Sequence, residues 1–419
     1  MVERVPDLMR RAFAKLRSGR PGPVLLEIPE DVAEGELQEE LFNYEPPRAV
    51  RQQADPADVS RAAAALLAAQ RPIIHAGQGI LYAEASDELM ELAEFLQAPV
   101  MTTLPGKSAF PENHPLALGA GGPSTTAAVN KYMDKADLVF GAGCSFVTTF
   151  FAVPIPDGKM MVHLTNDEDA IAREYNCDYP LLGDAKLVLR QLLDELNDRE
   201  SSPRPVNREL QSDIKAVKKS WLARWAPKLT SGDTPINPYR VIWDVINSID
   251  RHNTIVTHDS GSPRDQTVPF FEALVPGSYI GWGKTTHLGY GIPLMIGAKL
   301  ARPDKFCLNF MGDGAFGMSG LDIETSVRAG APITTVVLNN GGMATYPGGY
   351  PTAAELFGTT HMSGDYAKIA EGLGAVGITV TKPEEIAPAL TRAQQLNAEG
   401  KTVLIDVHSN LEARRSNFV

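Results

Sequence analysis

Short apolar runs bounded by glycine, proline or polar residues alternate with segments of helical periodicity along most of this chain. Residues 72–75, 99–103, 136–141, 160–164, 254–258, 306–311 and 333–338 are apolar enough to be strands buried on both faces. Between them, 59–69, 86–96 and 321–328 carry the spacing of helices, and 201–233 is charged and helical, with Trp221 and Trp225 one turn apart on one face. Strand and helix in alternation predict parallel sheets. The expected architecture is α/β, two doubly wound parallel-sheet domains, preceded by a helix–strand remnant of a third. Near the N-terminus, 6–18 reads as an amphipathic helix, Gly19-Arg20-Pro21-Gly22-Pro23 as a turn, and Val24-Leu25-Leu26-Glu27-Ile28-Pro29 as a buried strand. One helix and one strand cannot bury an apolar face alone. The expected divisions are 1–45 for the remnant and connector, 50–195 for a middle domain, 196–234 for a helical linker and 235–419 for a last domain.

Composition narrows the function classes. With 43% hydrophobic and 21% charged residues among 419, each domain can form a core. The net charge of −12 argues against nucleic acid as the main partner. No apolar run reaches membrane-spanning length, and Cys144, Cys177 and Cys307 fit neither metal spacing nor a disulfide framework, so a cytoplasmic setting is expected.

The chemistry concentrates in one stretch. An apolar strand runs into Gly312-Asp313-Gly314, a helical segment follows, and a second apolar strand ends in Asn339-Asn340. Glycines let a backbone approach a phosphate, and Asp313 and Asn340 supply hard oxygens of the kind that hold Mg²⁺ beside a diphosphate. The strand 254–258 ends in His258-Asp259-Ser260-Gly261-Ser262. His258 and Asp259 are one conceivable acid–base pair, but adjacent strand residues point to opposite faces. Gly77-Gln78-Gly79 lacks the third glycine of a dinucleotide fingerprint and reads first as a plain turn.

Gly-Asp-Gly followed at this distance by Asn-Asn resembles the thiamine-diphosphate enzyme signature. The resemblance implies thiamine diphosphate with Mg²⁺ held by Asp313, Asn340 and the backbone carbonyl of Gly342. It extends over nearly the whole chain. Gly19 to Val24 resembles the entry to the closing strand of the pyrimidine-binding domain of acetolactate-synthase-like enzymes; the rest of that domain has no counterpart here. Thr102-Thr103-Leu104-Pro105-Gly106-Lys107 and Phe110-Pro111-Glu112-Asn113-His114-Pro115 resemble the middle domain, which in some relatives holds FAD or ADP. Where relatives read His-Ile-Asp-x-Asp-Pro, this chain reads His163-Leu164-Thr165-Asn166-Asp167-Glu168, which counts against FAD or ADP.

In Thr286-His287-Leu288-Gly289-Tyr290-Gly291-Ile292-Pro293 the resemblance makes Leu288 the apolar prop that bends the cofactor, places the backbone of Thr286 against the aminopyrimidine, and brings His287 near the reacting carbon. Gly261, Ser262, Gly312, Gly314, Ala315 and Met343 complete the implied cofactor contacts. The segments 316–325 and 339–342 resemble oxalyl-CoA decarboxylases and 2-hydroxyacyl-CoA lyases, which place a Tyr where this chain has Ala344. Arg414 and Arg415 suit a CoA phosphate, although a solvated terminus is the preferred reading. The implied activity is C–C bond cleavage or formation (lyase, decarboxylase or carboligase) on a small-molecule 2-keto acid or 2-hydroxyacyl-CoA-type substrate. The family's catalytic Glu, which serves the pyrimidine ring, has no match here. The favoured expectation is the large subunit of a split, oligomeric enzyme whose partner chain carries that Glu. A truncated gene for an acetolactate-synthase-like carboligase and a non-catalytic nucleotide-binding scaffold are the alternatives.

Overall fold

The computed structural model describes residues 1–42, 45, 47–149, 151–200, 202–282, 287–343 and 350–416. It contains two six-stranded sheets, every paired strand parallel. The middle sheet is built from β1 (Pro72–Ala76), β2 (Val100–Thr102), β3 (Ala117–Ala120), β4 (Leu138–Ala142), β5 (Met160–Thr165) and β6 (Tyr179–Leu182), in the order β3-β2-β1-β4-β5-β6. The C-terminal sheet comprises β7 (Thr254–His258), β8 (Tyr279–Ile280), β9 (Phe306–Gly312), β10 (Thr334–Asn339), β11 (Val376–Val380) and β12 (Val403–His408), in the order β11-β12-β10-β9-β7-β8. Both faces of each sheet are covered, as the unbroken apolar strands require. On β9, Leu308 and Phe310 enter one core while Cys307 and Met311 enter the other.

The strand order reverses direction between β1 and β4 in the middle sheet and between β7 and β9 in the C-terminal one. Such switch points open crevices beyond the carboxyl ends of the strands, where ligands of doubly wound sheets bind. The segment between the domains is helical, as expected: the helix Arg208–Leu229 buries Trp221 and Trp225. Trp221 stacks on Phe270 with ring centroids 4.9 Å apart. A buried ion pair, Lys107–Glu112, lies where the domains meet, and Glu112 also accepts the Ala273 amide at 2.7 Å.

Three expectations need correction. Residues 21–29 form no strand, and Val24, Leu25 and Ile28 are exposed, Leu25 at 93%. Among the described residues no strand pairs with this segment, and a strand without a ladder partner leaves its amides to water. The helix Val5–Arg17 does form but buries no residue. Strands β3, β6, β8, β11 and β12 lie outside the apolar runs recognised in the sequence: Ala117–Ala120, for example, is small and glycine-containing, and Tyr179–Leu182 has a half-exposed edge pattern. The C-terminal segment is not a solvated tail. Arg414 lies 4.7 Å above the Trp225 ring, and its carbonyl accepts the Tyr239 hydroxyl at 2.6 Å. Ser416 takes the Trp221 indole N–H at 2.8 Å and donates to the Thr125 carbonyl at 2.7 Å, joining linker helix, tail and middle domain. Among the described residues no helix is long and apolar enough to cross a membrane.

Candidate functional site

Parallel pairing of β9 with β10 sets Leu338 opposite Gly312, so the residues that follow each strand emerge side by side. Asp313 therefore meets the Asn340 turn across a gap of 27 positions in sequence. Its carboxylate accepts the Gly314 amide at 2.8 Å through one oxygen and the Gly341 amide at 2.8 Å through the other. Asn340 Oδ1 closes its own turn by accepting the Gly342 amide at 2.9 Å. Burial pushes the Asp313 carboxyl above its ordinary value, against the opposing pull of the Gly314 and Gly341 amides. A divalent cation at this carboxylate would reverse that shift.

The two glycines occupy different places in the backbone. Gly312 has φ −85° and caps the helix Asp313–Ser319, and Gly314 lies inside that helix. A Cβ on Gly312 would meet nothing within 4 Å, so the glycine leaves open space at the strand end. That opening, beside a carboxylate and an amide oxygen, fits a diphosphate with a divalent cation. Asp313, Asn340 and the Gly342 carbonyl are the oxygens that could hold such a cation here, and among the described residues there is no cluster of three His, Cys, Asp or Glu elsewhere. Met343 packs over Gly314, 3.2 Å from where a Cβ would stand, and Ala315 is buried beneath.

The loop from β7 arrives from the neighbouring strand. Gly261 adopts φ +84°, a conformation glycine tolerates and other residues resist. Ser262 accepts a hydrogen bond from the Arg415 guanidinium at 2.7 Å, so the tail reaches this edge of the site. Leu288 is half-buried against the core beneath β9, and His287 is exposed. Thr286 and Ala344 lie outside the described residues. Thus Gly261, Ser262 and Leu288 sit on segments that converge on the Gly312–Asp313 end of the sheet.

Two residues hold roles that the sequence reading did not assign them. Asp259, fully buried, accepts the amides of Ser260, Gly289 and Gly291 at 2.7, 3.1 and 2.9 Å. Its partner in the discarded acid–base reading, His258, faces away, stacked beside Trp282, and touches Asp259 only through the backbone carbonyl at 3.1 Å. Desolvation lowers His258 to about 3, which unsuits it for proton transfer near neutrality. The second is Asp406 on β12, which holds Asn339 at 3.0 Å and so steadies the first residue of the Asn-Asn pair. The only available signal was a carboxylate inside or just beyond an apolar strand, where an unpaired charge is costly.

A cavity of about 720 Å³ opens at the middle-domain switch point and reaches Trp282 and Tyr290 of the last domain. Gly79 and Gln78 line it, so that turn does face a cavity. Gly77 is required for packing: its Cβ would stand 2.2 Å from the Gly143 carbonyl oxygen. His75 borders the cavity with both ring nitrogens unpartnered. The Arg20–Asp167 ion pair, 2.7 Å long, stands at its rim.

With this geometry in view, comparison with known proteins is informative. A family model for the central domain of thiamine pyrophosphate enzymes matches residues 59–192. The model for their C-terminal TPP-binding domain matches 259–407. A probable acetolactate synthase large subunit of Methanocaldococcus jannaschii is 33% identical over 411 residues, covering 93% of this chain and 68% of that protein. One from Methanococcus aeolicus is 30% identical, with coverage of 93% and 68%. The isozyme 3 large subunit of Escherichia coli is 28% identical, with coverage of 97% and 72%. None of these three names mentions a CoA thioester.

Proposed function

Because the chain belongs to the thiamine-diphosphate-dependent enzymes of the acetolactate synthase type, we propose that it is a carboligase acting on a 2-keto acid and that it uses Mg²⁺ with the cofactor. One observation carries this reading: the Asp313 carboxylate and the Asn340 turn meet at the ends of adjacent strands, beside the open face of Gly312. Thiamine diphosphate, when bound, would supply a carbon nucleophile and an electron sink.

The chain's own residues bind and orient. Asp313, Asn340 and the Gly342 carbonyl would hold the cation, and Gly261 and Ser262 would border the diphosphate. Leu288, anchored in the core, would press an apolar surface against the cofactor. His287, exposed beside it, would be the imidazole that exchanges protons with substrate. In this proposal the acid needed at the pyrimidine ring comes from a pyrimidine-binding domain on another polypeptide or on sequence outside this one, and the working unit is an oligomer. The relatives named as acetolactate synthases favour two pyruvates giving one acetolactate and one CO₂ over the CoA-type substrates. The test is calorimetric binding of thiamine diphosphate with and without Mg²⁺, followed by acetolactate formation from pyruvate in the native assembly. Absence of Mg²⁺-dependent cofactor binding would sink the proposal.

The middle-domain cavity, about 720 Å³, falls in the size range of ligand pockets and could admit a nucleotide. The absorption spectrum and acid-released nucleotides of the purified protein test this.

A further inference from the structure

A buried carboxylate must be paired, ligated or satisfied by several donors, because stripping it of water is costly. Asp259 is 0% exposed, and among the described residues no Lys, Arg or His side chain hydrogen-bonds or ion-pairs with its carboxylate; the His258 ring reaches only its backbone carbonyl. Its charge is answered instead by three backbone amides. Two of them flank Tyr290: one oxygen takes Gly289 and the other takes Gly291. Burial raises the Asp259 carboxyl and the amides pull it back. Asp259 is fixed in turn, since its own amide donates to the Phe310 carbonyl of β9 at 2.6 Å.

The turn that Asp259 grips has little freedom elsewhere. Gly289 lies at φ +84°, and a Cβ there would come 3.1 Å from Met318 and 3.2 Å from Ser319. A Cβ on Gly291 would fall 2.2 Å from Asn309 Oδ1. Leu288 immediately precedes this turn, so its height above the strand ends is set by where the Gly289 amide is held. Phe310, which anchors Asp259, lies three positions before the metal-side Asp313. One rigid connection therefore runs from the cation end of the site to the apolar prop.

We propose that Asp259 is a positioning residue: by clamping the Gly289 and Gly291 amides it sets Leu288 against the cofactor's organic part. The inference rests on the thiamine-site reading. It makes a separable demand, because inorganic pyrophosphate with Mg²⁺ needs the 312–342 and 261–262 segments but not the prop. Asp259→Asn keeps the shape but replaces one acceptor oxygen with an N–H₂ group facing an amide donor, which repels rather than binds.

The experiment is calorimetric titration of the native assembly with thiamine diphosphate and, separately, with pyrophosphate, both with Mg²⁺. In Asp259→Asn, thiamine diphosphate binding is expected to weaken about 10-fold, with pyrophosphate binding changed less than about 2-fold. Leu288→Ala should show the same split, and the double variant should lose no more than the larger single loss, because one clamp serves one prop. If Asp259→Asn does not fold, Gly289→Ala disturbs the same turn and should give the same split. Equal losses for both ligands, or no loss for either, overturn the proposal. A wild-type protein that binds pyrophosphate but not thiamine diphosphate overturns the thiamine reading and this inference with it. Retained wild-type binding with an unsplit variant response overturns this inference alone.

Discussion

Replacing Lys107 with Met isolates the electrostatics of the junction between the two domains. Lys107 and Glu112 are 1% and 5% exposed at their side chains, so neither charge is solvated. At contact distance, with the screening effective at buried protein sites, their attraction is on the order of 5 kcal/mol. Burial, more than any other cause, lowers the Lys107 pKa, and the nearby Glu112 charge works against that shift. Glu112 Oε2 also accepts the Ala273 amide at 2.7 Å, while Oε1 has no hydrogen-bond partner among the described residues. Lys107→Met removes the cation and leaves a buried carboxylate with one amide donor. Removing one member of such a pair costs about 3–5 kcal/mol. Lys107→Met with Glu112→Gln retains the acceptor for Ala273 and buries no charge, so its cost should be under about 1.5 kcal/mol. Urea unfolding followed by tryptophan fluorescence compares the three proteins; Trp221 and Trp225 lie in the neighbouring C-terminal core. A single variant within 1 kcal/mol of wild type, or a double variant as damaged as the single, would refute the reasoning.

Asp313→Ala should weaken Mg²⁺-dependent thiamine diphosphate binding by at least about 100-fold with little effect on unfolding, because a metal ligand matters more than the outer-shell groups whose loss costs 10–100-fold; calorimetry checks it. Gly77→Ala should destabilise the middle domain by about 1–3 kcal/mol, the cost of overpacking, since its Cβ would stand 2.2 Å from a backbone oxygen that cannot swing away; thermal unfolding reads the loss. His75 is pushed down to about 4 by burial. The unfolded chain therefore binds a proton between about pH 6.5 and 4 that the folded protein refuses. Its contribution is fully present above about pH 6.5 and declines by about 3 kcal/mol as pH falls towards 4. His75→Leu should flatten that part of the stability–pH curve, and an unchanged slope in the variant would contradict the assigned burial.

What the chain specifies locally was legible. Continuous apolar strands alternating with helices dictated parallel sheets covered on both faces, because each run has no polar face to turn to water. Gly-Asp-Gly and Asn-Asn announced an oxygen-rich cation and phosphate site, since the residue types carry that chemistry wherever they stand. Their juxtaposition was not legible from spacing alone: it comes from the register that places Leu338 beside Gly312. The strand expected at 24–29 failed for the complementary reason. Apolar content makes a segment able to be a strand, but only a neighbouring ladder makes it one, and the described structure offers it none. The supporting roles of Asp259 and Asp406 were invisible because a carboxylate's role depends on which amides fold around it, and the Gly289, Gly291 and Tyr366 amides lie 30 or more positions away in sequence. Arg415 reached Ser262 for the same reason. Side-chain chemistry is local and can be read from residue identity, whereas hydrogen-bond partners are chosen by the folded path of the chain, and that path alone turned two ordinary aspartates into supports of the site.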